Sequence, residues 1–416
     1  MMEDLIILGG GCAGLSLAMQ LAKLGNDCPN TTIIESRESY VNDRTWCFWG
    51  YDHSQHESDL LHCSIDLQAQ KWANKAWGTV LIKYKKDTVR VNCLTTPYQM
   101  LASSIFYEKA LKLIAQNSKI RLILNTSVNG SPIELTNELN TDTALNSMWK
   151  VQTNNQDFLT KTVVDTRPNK TVRSDDALMW QSFLGQEVSF EDDIFDADCA
   201  TLMDFGEKQQ NGSDQVTFIY ILPLSNNRAL VELTVFARKP IAKAALEKPL
   251  ANAIRKLNPK QVAEIQRTEF GVLPMGLKVK DFTNGVSSQD DREQNSYVRA
   301  GLFSGAARPS SGYAFMRIQR WAKSCAYSIA SRGLPVSHTP DSVWLTWMDT
   351  LFLKVILHKP SLAPTLFMAM FHRVNAHSMV RFLSDQATLK DYLWIIFALP
   401  PIPFLMQLIR QLVSRD

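Results

Sequence analysis

A glycine-rich turn near the start of the chain constrains its fold more than any other feature. Residues 4–8 form a short apolar run, GGGCAG follows at 9–14, and apolar residues then recur with helical spacing as far as Leu24. A second apolar run over 31–34 ends in Glu35, 21 residues after Gly14. Strand, glycine turn, helix and an acid closing the next strand together indicate a dinucleotide-binding βαβ unit. The sequence therefore predicts an α/β domain with a dinucleotide site.

Each glycine of this turn has an expected task. Gly9 makes the tight turn, Gly11 lets the backbone approach a pyrophosphate, and Gly14 lets helix and strand pack closely. The helix N-terminus then faces the phosphates, and the acid binds a ribose hydroxyl. The predicted cofactor-binding residues of this unit are Gly9, Gly11, Cys12, Ala13, Gly14 and Glu35. A glycine turn without a ligand is the alternative, and a site this near the N-terminus favours resident FAD over transient NAD.

Composition and charge place the chain among folded proteins that do not bind nucleic acid. It has 416 residues, 45% apolar and 20% charged, with 44 Lys+Arg against 41 Asp+Glu. A net charge of +3 is too small for a nucleic-acid-binding domain. Residues 345–416 hold seven Lys+Arg and four Asp, which leaves 37 of each sign in residues 1–344. The whole excess of positive charge therefore belongs to the last sixth of the chain.

The cysteines and the N-terminus favour a cytoplasmic protein without metal. The seven cysteines are scattered and contain no C-x-x-C pair, so neither a disulfide framework nor a zinc site is predicted. His53, His56, His62 and Cys63 form one cluster, but their spacing matches no zinc pattern and a solvated loop is the better interpretation. The opening MMEDLIILGGG lacks the basic region and the apolar length of a signal peptide.

An aromatic segment follows the acid at position 35. The sequence NDRTWCFWGY at 42–51 places Arg44 just before Trp46, Phe48 and Trp49. One interpretation is an aromatic plug in a core. The other is an aromatic wall beside the cofactor, which packs a flat ligand or stabilises a developing cation through its π faces. Arg44 is assigned to the cofactor site.

Motifs along most of the chain resemble those of bacterial lycopene cyclases. The resemblance covers residues 3–330, and its most specific motifs are RTWCFW at 44–49 and ARPSSGYAF at 307–315. It implies a flavoprotein that closes ionone rings on lycopene and needs FAD in its reduced form, with NAD(P)H as electron donor, although the reaction has no net redox change. The further motifs that carry it are the glycine turn, VVDTRP at 163–168, WQSFLG at 180–185, LMDF at 202–205, ILPLSNNRALVELT at 221–234 and TEFGVLPMG at 268–276.

The motif GLFSGAARPSSGYAF at 301–315 is expected to meet the flavin end of the cofactor. A helix is predicted to begin at Gly312, and a second helix N-terminus against the flavin favours anionic character on a reduced ring. The residues assigned to this role are Gly305, Arg308, Pro309, Gly312 and Tyr313. Many flavoproteins have an Asp in this motif where the chain reads Ser304-Gly305-Ala306. In VVDTRP, Asp165 and Arg167 either form an ion pair or contact a ligand.

Glu232 is the predicted catalytic acid. It lies in the second of two strands predicted around a turn at 225–228, and its apolar neighbours would drive a carboxyl group toward its protonated form. The cyclases carry an acidic pair before a Thr here, but the second acid is Leu233 in this chain, so only Glu232 carries over. A surface-facing strand residue is the alternative, and either Glu232 or the flavin delivers the proton. Asp204 and Glu269 are expected to be structural or binding residues.

The C-terminal segment changes in character after residue 343. Residues 392–409 are 18 positions without a charge, and Pro400, Pro401 and Pro403 interrupt them. The pattern favours an in-plane or shallow membrane anchor whose Lys390, Arg410 and Arg415 face lipid headgroups, which places the protein on the cytoplasmic side of a membrane. A helical cover over the substrate pocket is the alternative.

The predicted architecture has three parts. An FAD-binding Rossmann-like domain of the glutathione-reductase type (residues 1–171 and 293–335) carries an inserted antiparallel β-sheet substrate domain (172–292) and a C-terminal helical, membrane-facing region (336–416). The predicted function is lycopene cyclisation, with β-ionone rings as the expected product, on a lipid-soluble carotenoid substrate. The rival functions are an FAD-dependent oxidoreductase, such as a monooxygenase or an isoprenoid reductase, and a non-catalytic isoprenoid carrier.

Overall fold

The computed structural model describes residues 2–50, 71–135, 148–168, 172–206, 214–277 and 296–413. Strands in these ranges are β1 Met2–Leu8, β2 Thr31–Ile34, β3 Thr45–Trp49, β4 Lys75–Trp77, β5 Thr79–Tyr84, β6 Asp87–Asn92, β7 Tyr98–Ala102, β8 Ile120–Ile123, β9 Ile133–Leu135, β10 Met148–Val151, β11 Phe158–Asp165, β12 Ala177–Ser189, β13 Cys199–Asp204, β14 Val216–Pro223, β15 Arg228–Ala237, β16 Glu264–Leu277 and β17 Tyr297–Arg299. Helices are α1 Cys12–Ala22, α2 Ser103–Ile114, α3 Lys243–Leu257, α4 Phe315–Arg332, α5 Val343–His358, α6 Ala363–Arg373, α7 Ala376–Leu383, α8 Leu389–Ala398 and α9 Pro401–Val413. The predicted α/β fold class, with its C-terminal helical region, is confirmed.

The first sheet has the order β8-β2-β1-β11-β10-β9, with β17 also paired to β11. Strands β8, β2, β1, β11 and β17 run parallel, and β10 and β9 continue the sheet antiparallel. Strand β1 lies in the centre, and its residues 5–8 are at most 1% exposed, as the uninterrupted apolar run requires of a strand covered on both faces. Helices α1, α2 and α4 contribute to one core with this strand.

The second sheet has the order β16-β12-β15-β14-β13-β5-β6 and is antiparallel except between β13 and β5. Strand β15 has apolar side chains on both faces of this sheet, and each face is covered by helices. Val231, Leu233 and Val235 pack in one core with α3, whereas Leu230 and Phe236 pack in another with the C-terminal helices. The hairpin predicted around residues 225–228 forms between β14 and β15.

The second sheet extends beyond the predicted substrate domain. Strands β5 and β6 lie within residues 1–171, the first segment of the predicted cofactor domain, yet they form one edge of the second sheet. Their Val80, Ile82, Val89 and Val91 are buried in the same core as β14 and β15. This apolar hairpin of the first segment is therefore buried in the second sheet through the pairing of β5 with β13. The predicted domain boundary at residue 172 does not coincide with the limits of that sheet.

The C-terminal helices both cover the second sheet and present apolar side chains to solvent. Helices α5 and α6 place Leu353, Ile356 and Leu366 in the core of that sheet. Helices α8 and α9 meet at an angle of 98° around the predicted proline break. No single helix in the described ranges is long and apolar enough to cross a bilayer. Helices α8 and α9 taken together have sufficient length and apolar composition, but they are bent.

A buried arginine joins the loop before α4 to the C-terminal helices. Arg308 is 1% exposed, and its Nε donates to Asp349 on α5 at 3.2 Å. It also donates to the carbonyl oxygen of Phe382, lies 4.2 Å from that ring and is 3.8 Å from Asp385. Ser310 N donates to the same Asp349 carboxylate. Arg308 thus ties the helical region to the rest of the protein.

We expect Arg308→Met to lower the free energy of unfolding by about 3–5 kcal/mol, because it leaves the Asp349 carboxylate buried without its cation. Arg320→Met is the matched control. Arg320 pairs with Asp385 but is partly exposed, so its loss should cost less than about 1 kcal/mol. Asp349→Asn combined with Arg308→Met should cost less than the sum of the two single changes. Denaturant titration of the full chain checks these values, and equal losses for Arg308→Met and Arg320→Met would contradict them.

Candidate active site

A large cavity of about 760 Å³ is lined by residues of the glycine turn, β3 and the second sheet. It brings together most of the residues that the sequence predicts for cofactor, cation and proton. The predicted residues that line it are Gly9, Gly11, Cys12, Ala13, Glu35, Arg44, Trp46, Glu232, Gly312 and Tyr313. Its walls therefore combine a dinucleotide-type turn with the predicted acid.

The glycine turn has the geometry that an anionic ligand requires. Gly9 has φ +93°, and a Cβ at Gly14 would lie 1.9 Å from the Gly9 carbonyl oxygen, so both positions exclude a side chain. A Cβ at Gly11 would meet nothing within 4 Å, which leaves space for a ligand. Helix α1 begins at Cys12, and no side chain caps its N-terminus. Its first backbone N–H groups are thus available to phosphate oxygens.

Glu35 closes β2 beside this turn and is nearly buried. One carboxylate oxygen accepts from Gly10 N at 2.6 Å, and the other accepts from Arg37 N at 2.9 Å and Arg37 Nε at 3.1 Å. Burial raises the pKa of this carboxyl, but the hydrogen bonds and the charge of Arg37 outweigh that effect and hold the pKa below its usual value. The ionised carboxylate holds the glycine turn in place, and its contact with a ribose stays a prediction.

The aromatic segment of β3 contributes both to the cavity wall and to the surrounding cores. Trp46 lines the cavity and stacks on Phe315 at 5.5 Å between ring centroids. Phe48 is buried against the same Phe315, and Trp49 is buried against Tyr98 at 4.9 Å. Trp46 alone of the three forms part of the cavity wall, whereas Phe48 and Trp49 belong to cores.

The motif at 301–315 places only part of its predicted residues at the cavity. Gly312, with φ +70°, and Tyr313 line it, and the helix begins at Phe315 rather than at Gly312. Gly305 and Pro309 are not among the lining residues. Arg308 points into the C-terminal helices, as described above, because two aspartates and a carbonyl oxygen there satisfy its guanidinium. The structure thus contradicts a direct cofactor contact for Arg308.

Asp165 and Arg167 form the ion pair that was one of the two interpretations of VVDTRP. Arg167 Nη2 lies 2.8 Å from Asp165 Oδ2, and Arg299 Nη1 approaches the same oxygen at 3.3 Å. Asp165 is completely buried. Thr166, between the two, lines the cavity and donates to the Leu8 carbonyl oxygen at 2.9 Å. The motif therefore fixes the end of β11 against the glycine turn.

Glu232 faces the cavity from β15, on the same face of the sheet as Leu230 and Phe236. Its Oε1 accepts a hydrogen bond of 2.7 Å from Thr234. Burial disfavours the charged form, the nearby charge of Glu269 adds to this effect, and together they raise the pKa of Glu232 to about 8. At pH 7 the carboxyl is therefore mostly protonated, in agreement with the expectation from its apolar neighbours.

A second carboxylate lines the same cavity, from another strand. Strand β12 lies between β15 and β16, and its Gly185 is directly opposite both Glu232 and Glu269. Because Gly185 has no side chain, nothing on β12 separates the two carboxyl groups; a Cβ there would lie 3.1 Å from Glu269 Cγ. Glu269 accepts from Arg267 at 2.6 Å and from Thr45 at 2.9 Å. Leu233 packs on the opposite face of the sheet.

Three buried tyrosines complete the wall near Glu232. Tyr313 belongs to the predicted motif at 301–315, whereas no motif in the sequence predicts Tyr98 or Tyr220. Tyr98, Tyr220 and Tyr313 all line the cavity. Burial raises the pKa of each, to about 12 for Tyr313, so all three stay neutral hydroxyl groups. The hydroxyls of Tyr313 and Tyr98 are 3.5 Å apart. Asp204 is not among the lining residues; it accepts from Gly206 N at 2.9 Å.

The described residues contain no group of three or more His, Cys, Asp or Glu side chains placed to hold a metal ion. The segment with His53, His56, His62 and Cys63 lies outside the described ranges.

Comparison with known proteins agrees with this geometry. Residues 4–409 match the lycopene cyclase protein family. A lycopene beta-cyclase of Pseudescherichia vulneris is 25% identical over 97% of this chain and 95% of its own length. The chloroplastic/chromoplastic lycopene beta cyclase of Capsicum annuum is 23% identical over 76% of this chain and 58% of its own length.

Among solved structures, the fold is similar to that of a geranylgeranyl bacteriochlorophyll reductase-like protein from Thermoplasma acidophilum. The two share 12% identity with a TM-score of 0.56, over 97% of each chain. A flavin-dependent brominase has 11% identity and a TM-score of 0.56, with each chain fully covered. Since the family match spans nearly the whole sequence, the chain belongs to the lycopene cyclase family.

Proposed function

We propose that this protein is a lycopene β-cyclase that closes β-ionone rings on the ψ end groups of lycopene, with reduced FAD bound and no net redox change. One observation carries the proposal: Glu232, a half-buried carboxyl whose pKa is raised to about 8, shares a cavity with a dinucleotide-type glycine turn. The relatives named lycopene beta-cyclase support the substrate and the ring type. NAD(P)H is the proposed electron donor.

The cavity residues fit FAD. The open space at Gly11 and the uncapped start of α1 suit the pyrophosphate, and Glu35 stands where a ribose is expected. Gly312 and Tyr313 line the same cavity as Glu232. When bound in its reduced form, FAD would supply an electron-rich, anionic ring that stabilises a nearby cation.

The proposed reaction moves one proton in and one proton out. Glu232 gives its proton to the terminal double bond of a ψ end group, which leaves a tertiary carbocation. A second double bond of the same chain attacks this cation and closes the ring. The carboxylate of Glu232 then takes up the proton that the ring loses, so the product is an isomer and the acid is restored. Trp46 offers a π face to the cation. The tyrosines in the wall are neutral, so they add no further charge beside the cation.

The proposal also places the protein on the cytoplasmic side of a membrane, as a peripheral or monotopic protein. A set of exposed apolar side chains on α5, α8 and α9, here called the apolar face, supports it. Its members are Trp344, Trp347, Leu393, Trp394, Phe397, Ile402, Leu405, Met406 and Ile409. Exposed Lys390 and Arg410 lie on the same two terminal helices and suit anionic headgroups. Arg415 lies outside the described ranges.

The central experiment incubates the purified full-length protein with lycopene in liposomes. We expect cyclised carotene when FAD is chemically reduced and none when it is oxidised. Glu232→Gln should keep its FAD and lose at least about 100-fold in rate, as expected when a general acid is removed. Product formed at full rate with oxidised flavin would contradict the proposal. Consumption of NAD(P)H in proportion to product would instead indicate an oxidoreductase.

Two glycine substitutions test the cofactor site. Gly11→Ala adds a methyl group to open space, so the free protein should unfold at the same temperature as wild type while its bound FAD falls at least about tenfold, because the methyl group occupies the place of the pyrophosphate. Gly14→Ala should instead lower the unfolding temperature, because its Cβ meets a backbone oxygen. Flavin absorbance and thermal unfolding of the cofactor-free protein separate the two effects. Full FAD content in Gly11→Ala would contradict the assignment.

The pH dependence of the rate should report the proton on Glu232. With a pKa of about 8, the rate should be constant below that pH and fall as pH rises through it, because the acid loses its proton. Glu269→Gln removes a negative charge that raises this pKa, so the fall should move to lower pH. Glu264→Gln, an exposed position on the same strand, should leave the profile unchanged. If the rate fell at the same pH in wild type, Glu269→Gln and Glu264→Gln, the proposed effect of Glu269 on the pKa of Glu232 would be contradicted.

Membrane binding is tested by point substitutions, because removing the C-terminal helices would expose the core of the second sheet. Phe397→Glu with Ile409→Glu should weaken flotation with anionic vesicles at least about tenfold, since both apolar side chains would leave the lipid. Val262→Glu, 97% exposed before β16, is the control. A wild-type protein that stays unbound at low salt would contradict the proposal.

A further inference from the structure

A second cavity of about 400 Å³ lies between the second sheet and the C-terminal helices. Its walls come from helices α5 to α9 together with strands β12 to β15 and the loop before α4. The described lining residues are mainly aromatic and aliphatic. Asp349 is the one carboxylate among them, and it is committed to Arg308 and Ser310 N. The lining therefore suits an uncharged hydrocarbon.

The inner end of this cavity meets the candidate active site. Gln181, Tyr220, Ser311 and Tyr313 line both cavities. Tyr220 is directly opposite Glu232 in the pairing of β14 with β15, so the shared wall stands beside the acid. A chain that passed these side chains would reach the Glu232 carboxyl.

The outer end of the cavity reaches the apolar face. Trp344, Trp347 and Leu405 of the apolar face also line the cavity, and they are 42–55% exposed. Trp344 and Trp347 stack on each other at 5.2 Å between ring centroids, on the first two turns of α5. The cavity thus opens on the surface that we place against lipid. Met203, Met348 and Met370 along its length are flexible side chains that adapt to a long ligand.

We infer that this cavity is the binding site for the linear part of the polyene, entered from the bilayer. The inference rests on the proposed function and adds a route and a second binding site to it. One end group lies past Tyr220 and Tyr313 at Glu232, while the conjugated chain fills the apolar cavity and continues through the opening at Trp344 and Leu405 into lipid. The hydrocarbon need not cross water, because burial is continuous from membrane to acid.

Narrowing the cavity tests the inference without requiring turnover. Lycopene is achiral and gives no circular dichroism in lipid, but it acquires a visible band when it is held in a chiral site. We expect such a band when the full-length protein with oxidised FAD is mixed with lycopene-containing liposomes. Met348→Trp, a half-buried lining position on α5, should weaken this binding at least tenfold. Val343→Trp adds an indole to an exposed, non-lining position of the same helix and should bind as wild type.

A second blocking variant covers the case in which Met348→Trp does not fold. Leu408→Trp lies on α9, at the end of the described chain, and lines the same cavity. Flavin content and vesicle flotation equal to wild type establish that each variant is folded and membrane-bound. Wild-type band strength and wild-type product yield in both blocked variants would overturn the inference. A band in the wild type with no product under reduction would overturn the proposed function and leave the binding site standing.

Discussion

The proposed function requires a carboxyl group that holds its proton at neutral pH and remains open to a ligand. Glu232 meets this requirement because its neighbours on the cavity side are apolar or neutral and its charged neighbour is another carboxylate. The cation that could have lowered its pKa is engaged elsewhere: Arg267 is bound by Glu187 at 2.7 Å and by Glu269 at 2.6 Å. Because Gly185 lies between the two acids, no side chain of β12 separates their carboxyl groups.

The apolar cavity beside this acid exists only while the C-terminal helices remain in place. Their helix–sheet packing supplies most of the burial, but the directional contact is the group around Arg308, where one guanidinium reaches Asp349 on α5 and the carbonyl oxygen of Phe382 at the end of α7. Arg317 on α4 binds Asp385 at 2.6 Å and Asp341 at 2.9 Å in the same region. Because desolvation offsets much of the attraction between buried ions, we expect these contacts to fix the position of the helices more than to add stability.

The sequence predicts the parts of this site that depend on neighbours in the chain. The glycine turn, Glu35 and the hairpin that carries Glu232 each follow from patterns within about 30 residues. The pairing of Glu232 with Glu269 depends instead on the register of three strands, so it is invisible until β12 is seen to place Gly185 between them. The prediction that Arg308 contacts the cofactor is wrong for the same reason. Its partners lie 41 to 77 positions further along the chain, so no local sequence pattern predicts them.

The ion pairs of residues 345–416 show which of their charges lie inside the protein and which lie on its surface. Three of its four aspartates are used within the protein: Asp349 and Asp385 bind arginines of the preceding chain, and Asp391 binds Arg381 at 2.6 Å. The fourth aspartate, at the last residue of the chain, lies outside the described ranges. Lys359, Arg373, Lys390 and Arg410 are exposed in the same segment. The described surface of the C-terminal helices is therefore more positive than the count of +3 implies, because acids turned inward do not offset cations turned outward. Anionic lipid around an apolar face would meet that uncompensated charge.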